Sequence, residues 1–316
     1  MGDLSLCLHI AGHDSMKKYD WKSWGQFSSG ALTWRWADQI EAVKGNRVIF
    51  KKPLRLDVRP DWQVGIGLES PYLEEVGVEH LKIEFPRTVK AAHLKEPGYN
   101  GVMLRRCVHC WVRDVMVEHA DTGVLFGGEA VNCTVDGFKL IGRENHHGMM
   151  MRAMSHDNLI QNFRIESKPQ HGINTEGVSS GNVWRAGEML FGTFDSHCMM
   201  SFDFVRTNIT MNNTGNPGGA ANHGPLVGRR VVHWNVRVTN GKGEWVAQPA
   251  ILPSGAVVGV QGAQLELKST KLWHLPDGLD KGCVVADMGK EPEPKDLFEA
   301  QLKLRLAERR ARVEEG

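Results

Sequence analysis

The chain has 316 residues with 38 Lys plus Arg against 37 Asp plus Glu, so its net charge is close to zero. That balance excludes a global basic field for nucleic acid or anionic membrane. No apolar run approaches the ~18 residues of a membrane span, and six cysteines in a chain of this size argue against a disulfide framework.

The first residues, MGDLSLCLHIAGHDSM, lack a basic segment followed by a long apolar one, so no signal peptide is read. Taken as written the chain is expected to be cytoplasmic, or secreted if an upstream export signal is missing. Residues 1–45 are irregular and hold Trp21, Trp24, Trp34 and Trp36. They are expected to cap the open end of the fold, where aromatics bury large area and exposed strand edges must be covered. Asn46–Asp57 reads as strand, turn and short strand. Val76–Phe85 alternates apolar Val78, Leu81 and Ile83 and reads as the first full coil, with 86–99 projecting from it as a loop.

From there a repeat dominates. Gly101, Gly123, Gly148, Gly172, Cys198, Gly224 and Gly255 recur at intervals of 22, 25, 24, 26, 26 and 31 residues, each before a short, mostly apolar run. A second register keeps step: segments starting at Cys110, Asn132, Asn158, Asn182, Asn208 and His233 are rich in Val, Ile, Phe and Trp. Two in-phase strand registers per repeat predict an all-β solenoid, a single-stranded parallel β-helix. One such coil cannot bury its own apolar face, but a stack builds a continuous core. The expected organisation is 1–75 as cap and lead-in strands, 76–262 as β-helix, and 263–316 as a C-terminal extension. The extension carries the linker Glu291–Lys295, an N-cap at Asp296 and a short α-helix to about Val313. Its Phe298, Leu302 and Leu306 stripe is expected to pack on the barrel.

Histidine precedes four of the repeat positions: His147, His171, His197 and His223. Stacked on successive coils, these imidazoles would supply a base, a metal pair or hydrogen bonds to a sugar chain, or would merely hold backbone carbonyls. Strict alternation puts His147 with Met149 and Met151, and groups Arg152, Asn174 and Glu176 on the other side. The charged set is expected to face out, and then the histidines face in unless the backbone turns at the corner. Arg152 and Glu176 become neighbours across the ladder. Gly192–Arg206 concentrates Asp195, His197, Asp203 and Arg206; Asp195 either orients His197 or caps a turn. Cys107 and Cys110 have C-x-x-C spacing without a second pair, so buried thiols are expected rather than a metal knuckle. Asn213–Gly224 is glycine-rich without the Lys-Ser/Thr of a phosphate loop.

The coil repeats from Val76 to about Gly262, including NLIQNFRIES, QHGINTEGVSSGNVW and FDSHCMMSFDFVRTNIT, resemble the pectate-lyase-like superfamily of right-handed parallel β-helices. That resemblance implies an architecture shared by polysaccharide lyases, glycoside hydrolases, uronate epimerases and phage tailspikes. FDSH is similar to the Asp-Pro-His segment of β-helical mannuronan epimerases, with Ser196 in place of the proline and the next acidic residue absent. The expected function is elimination on an acidic, uronate-containing polysaccharide. Arg152 or Arg206 would neutralise the carboxylate, His171 or His197 would act as base, and Asn174 would hold the enolate. His147, His223 and Asp203 would contact the polymer. The alternatives are a hydrolase or epimerase, with Glu176, Asp195 and Asp203 as candidate carboxyls, or a non-catalytic glycan-binding or structural β-helix. No cofactor is expected; a divalent cation such as calcium is left open, although no cluster of Asp residues marks a calcium site. The partner is a polysaccharide rather than nucleic acid or membrane, and the chain a monomer or homo-trimer.

Overall fold

The computed structural model describes residues 4–12, 34–68, 72–197, 199–216, 218, 226–267 and 282–314. The chain is an all-β solenoid of about seven turns, a parallel β-helix with three faces. The first face is the longest. It stacks Gly77–Glu84, Trp111–Glu118, Val183–Gly192, Val205–Asn213 and Val232–Gly241 with shorter split strands between and after them. The second stacks Asn100–Leu104, Thr122–Phe126, Asn145–Met151, Pro169–Thr175 and Phe194–Asp195. The third begins as Leu73–Glu74, Cys107–Val108 and Ala130–Val131, and continues only as single bridges through His156, Ser180 and Phe202.

Register explains the sequence period. On the first face Val78, Val112, Val135, Ile160 and Trp184 are successive partners, and all but Val78 are fully buried. On the second face Val102, Val124, Met149, Ile173 and Phe194 form the inner column. Asparagine ties the corner before the first face. Asn158 accepts from Cys133 N–H at 2.9 Å and donates to Ala130 O, and Asn182 repeats the pattern one coil on by accepting from Asn158 N–H at 3.0 Å.

The recurring glycines answer to coil spacing. A Cβ built on Gly123 would lie 2.5 Å from Gly148 O and 2.8 Å from Phe138 Cζ. One on Gly148 would lie 2.6 Å from Ile165 Cδ1 and 2.8 Å from Gly172 O. The glycine therefore points at the core, and the next inward residue, Met149, follows it without an intervening outward one. Alternation breaks there, which turns His147 to the outside.

Two extensions differ from expectation. The described N-terminal segments lie along the narrow third face, not over a coil end. Trp34 packs 6.0 Å from Phe202, Ala37 N–H donates to His156 Nε2 at 3.1 Å, and Lys52 pairs with Asp157 at 2.7 Å. A helix over Leu4–Ala11 accepts from Arg229 N–H at Ile10 O. The third face has few ladder bonds of its own, so it is the surface most in need of cover. Trp21 and Trp24 lie outside the described residues. The loop of residues 86–99 does not project either: it folds back onto the second face, with Phe85 and Tyr99 stacked at 5.3 Å across its neck.

The C-terminal helix, Leu297–Glu314, begins as expected at Asp296, whose Oδ1 accepts from Glu299 N–H at 3.1 Å. Arg185 holds the other carboxylate oxygen at 2.8 Å. Only this first turn docks. Residues 301–312 are exposed, so of the expected stripe only Phe298 reaches the coils, under Arg185, while Leu302 and Leu306 extend past them.

Gly123→Ala is expected to cost roughly 1–3 kcal/mol through overpacking, read as a lower urea midpoint with an unchanged slope. An unchanged midpoint would mean that coil spacing does not require glycine there.

Candidate active site

The outer column of the second face changes character along the stack. Met103, Leu125 and Met150 are apolar, and their successive register partners are Asn174 and Asp195. A polar patch thus opens over the coils of Asn145–Met151, Pro169–Thr175 and Phe194–Asp195. Asn174 Nδ2 donates to Asp195 Oδ2 at 2.5 Å, and His171 Nδ1 lies 3.3 Å from the same oxygen. Arg152 forms an ion pair with Glu176 on the next coil. The Arg152 side chain is 49% exposed and that of Glu176 4%, so the pair runs from the surface inward. Because the glycine corner turns the histidines outward, the imidazoles and the charged set share one side instead of competing for it.

The histidines form a cluster rather than a single file. His147 and His171 are register partners with rings stacked at 5.0 Å. The next coil shortens: Asn174 pairs with Asp195, 21 residues on, where Met150 paired with Asn174, 24 on. His197 consequently meets His171 edge-on at 6.2 Å from further along its coil. His223 lies outside the described residues. Two residues that the sequence pattern did not mark complete the group. His146 stacks on His147 at 4.2 Å, and His93, from the folded-back loop, sits 4.5 Å from His146.

Asp121 fastens that loop. Its Oδ2 accepts from Gly98 and Tyr99 N–H at 3.0 and 2.8 Å, and its Oδ1 pairs with Arg143 at 2.5 Å. Lys90 donates to Gln170 at 2.7 Å, and Glu96 pairs with His146 Nδ1 at 3.2 Å. A neighbouring HH dipeptide was the one available hint of His146. Nothing local marks His93, whose place is set by loop closure.

Two candidates lie elsewhere. Asp203 is bound by Arg230 Nη2 at 2.6 Å and approached by Arg55 at 3.8 Å, at the third-face corner. Arg206 is a core residue. It occupies the inward column after Trp184, between Phe194 and Phe204 at 4.6 and 4.9 Å, and donates to Asp195 O at 3.0 Å. Wholly enclosed, it cannot meet a carboxylate at the surface; it reaches the patch only from behind. Cys107 and Cys133, on neighbouring coils, are free thiols 3.6 Å apart and buried; Cys110 gives its thiol to backbone carbonyls.

Electrostatics separate the groups. Burial, opposed by Arg152, pushes the Glu176 carboxyl up to about 7. Burial lowers His146 to about 4, with neighbouring imidazoles and Lys90 adding to it against Glu96. His147 falls well below its ordinary value for the same first cause, reinforced by His146 and His171. Burial also opposes protonation of His171, yet Asp195 outweighs it and leaves that pKa raised. Burial lowers Arg206 to about 9, against the pull of Asp195.

His147 Nε2, His171 Nε2, Asn174 Oδ1, Glu176 Oε2 and Asp195 Oδ1 are buried and lack a hydrogen-bond partner among the described residues. Buried polar atoms are overwhelmingly paired in folded proteins. The gathering of these unpartnered atoms in one patch makes it the candidate site.

Residues 169–314 match the family model described as a domain of unknown function (DUF4955). The matched stretch opens on the strand that carries His171 and runs through the C-terminal helix. No curated protein and no solved structure matches the chain.

A carboxyl raised on folding favours the folded state fully below its unfolded pKa, and that contribution is lost as pH rises toward 7. Glu176→Gln removes the loss. The wild-type protein is therefore expected to lose on the order of 3 kcal/mol relative to this variant between about pH 4.5 and 8, read from paired urea titrations. A pH-independent difference would place the Glu176 carboxyl at its ordinary pKa.

Proposed function

We propose that this chain is a carbohydrate-active enzyme of the pectate-lyase-like kind, acting on a uronate-containing polysaccharide by β-elimination. The observation that carries the reading is the patch itself. A half-exposed guanidinium, a buried carboxamide, two imidazoles and two carboxyls lie on one side of three adjacent coils. Neighbouring coils are about 4.8 Å apart, and exposed Arg152 and part-buried His197 are the members of the patch that open toward a polymer lying along the stack.

Elimination requires a counter-charge for the uronate carboxylate, a base for the proton beside it and an acid for the leaving oxygen. Arg152 has the exposure to meet the carboxylate, whereas Asn174 is fully buried with its Nδ2 given to Asp195, and so supports the patch from beneath. His171 or His197 takes the proton. Glu176, with its pKa near 7, retains a proton to give at mildly acidic pH. Arg206 contributes to the field behind Asp195 without touching substrate.

One observation favours a second reading. Glu176 and Asp195 are carboxyls on neighbouring coils that face the same side, and the Asp195 charge adds to the upward push on Glu176. Two carboxyls with split environments are what a glycoside hydrolase employs as acid and base or nucleophile.

The two are separated by assaying alginate, pectate, glucuronan and glycosaminoglycans for absorbance at about 235 nm and for new reducing ends. Elimination is expected to produce both, and His197→Ala to slow it by roughly 10²–10⁴ if it is the base. Reducing ends without absorbance would move the assignment to hydrolysis. Neither signal on any polymer would end the enzymatic reading and leave a glycan-binding solenoid.

A further inference from the structure

Three imidazoles from three separated stretches converge on one point at the surface. His93 comes from the folded-back loop, His146 from Asn145–Met151 and His171 from Pro169–Thr175. One ring nitrogen of each lies within 4.8 Å of the other two, with ring centroids 4.5, 5.3 and 5.7 Å apart. Three nitrogen donors around one centre match the ligand number of an open zinc site, whose fourth position belongs to water or substrate. The graded exposure, from exposed His93 to buried His171, leaves an entry path from solvent.

The groups behind two of the rings point the same way. His171 Nδ1 faces two acceptors, Asn216 O at 2.9 Å and Asp195 Oδ2 at 3.3 Å. Two acceptors place the proton on Nδ1, so the lone pair of the neutral ring is on Nε2. That Nε2 is buried and without a hydrogen-bond partner among the described residues, in a side chain only 2% exposed. Glu96 Oε1 lies 3.2 Å from His146 Nδ1 without the geometry of a hydrogen bond, so it puts a negative charge beside that ring. A carboxylate or carbonyl behind an imidazole fixes the tautomer and raises its basicity, the usual arrangement around metal-bound histidine. Packing alone gives no reason for it, since a buried ring nitrogen without a partner is a cost to folding.

We propose that His93, His146 and His171 bind one first-row transition-metal ion, zinc in the first instance, with Asn216 O and Asp195 orienting His171 and Glu96 placing its charge beside His146. An imidazole donor set selects zinc, cobalt, nickel or copper over calcium and magnesium, which prefer oxygen. The two neighbouring carboxylates offset the charge of the dication, and the ion closes the loop of residues 86–99 onto the second face. The site stands whether or not the chain cleaves a polymer. Where it does, the ion lies beside Asn174 and Asp195, supplies the positive charge that a uronate carboxylate needs, and leaves proton abstraction to His197.

The test uses untagged full-length protein, stripped with chelator and titrated with zinc chloride by calorimetry and with cobalt chloride by visible absorption. One zinc per chain is expected, with a Kd of about 1 μM or tighter near neutral pH, and cobalt is expected to give the visible bands of a nitrogen-ligated ion. His93→Ala and His146→Ala, both outside the core, should each weaken zinc by roughly 100-fold or more, and Glu96→Gln by about 10–100-fold. His80→Ala, an exposed histidine of the first coil, should bind as the parent does. Circular dichroism of the metal-free variants checks that all are folded. Overturning results are no binding heat at about 100 μM zinc, or zinc bound to folded His93→Ala and His146→Ala as tightly as to the parent. No readout involves a polymer, so a negative here leaves the elimination reading intact, and inactive polymers leave the metal site intact.

Discussion

The structure depends on how closely one coil may approach the next. Parallel ladders fix that distance, and at the corner entering the second face the approach is too tight for any side chain. Gly123, Gly148 and Gly172 each present the position of a missing Cβ to a carbonyl oxygen of the following coil. These glycines are not there for an unusual backbone angle; space excludes every other residue. The same corner breaks the in-out alternation, so the residue before each glycine turns outward while two consecutive positions face the core. A packing constraint thereby becomes a functional one, because it delivers His147 and His171 to the side that holds Asn174 and Asp195.

The patch is costly to fold. Asp195 and Asn174 are fully buried, His171 nearly so, and several of their polar atoms have no partner among the described residues. Such atoms usually cost about 1–3 kcal/mol each. The solenoid bears this because its apolar columns run continuously through Val112, Val135, Ile160 and Trp184 on the opposite inner wall. The Asp121-anchored loop of residues 86–99 adds a partial roof. Burial beside that roof drives the His146 ring toward its neutral form, and burial at the far end of the strand drives the Glu176 carboxyl toward neutrality.

Arg206 shows the two sides of one strand acting on each other. The inner column is apolar until that coil, where a guanidinium and then His233 take the place of valine or isoleucine. Phe194 and Phe204 sandwich the cation, and the carbonyl of Asp195 accepts from it. The Asp195 carboxylate, on the outer side of that residue, stabilises the cation in turn. A buried charge without compensation is strongly destabilising, so the pairing across the strand links core integrity to the charge of the patch.

The architecture was legible in the chain because a solenoid writes its period into the sequence: glycines and apolar runs some two dozen residues apart mean neighbours in space. Asp296 likewise declared a helix start through local cap chemistry. The pairing of Arg152 with Glu176, and of His147 with His171, followed from the same arithmetic. What arithmetic could not supply was any departure from uniform repetition. The shortened coil that moves His197, the corner that turns the histidines outward and the inward Arg206 are decided by packing between coils. So are the return of His93 and Glu96 from the loop and the placement of Trp34 and Trp36 along the third face. A period records which residues are equivalent, but side-chain direction and loop closure depend on volumes and partners far away in the sequence. Only the folded chain brings those together.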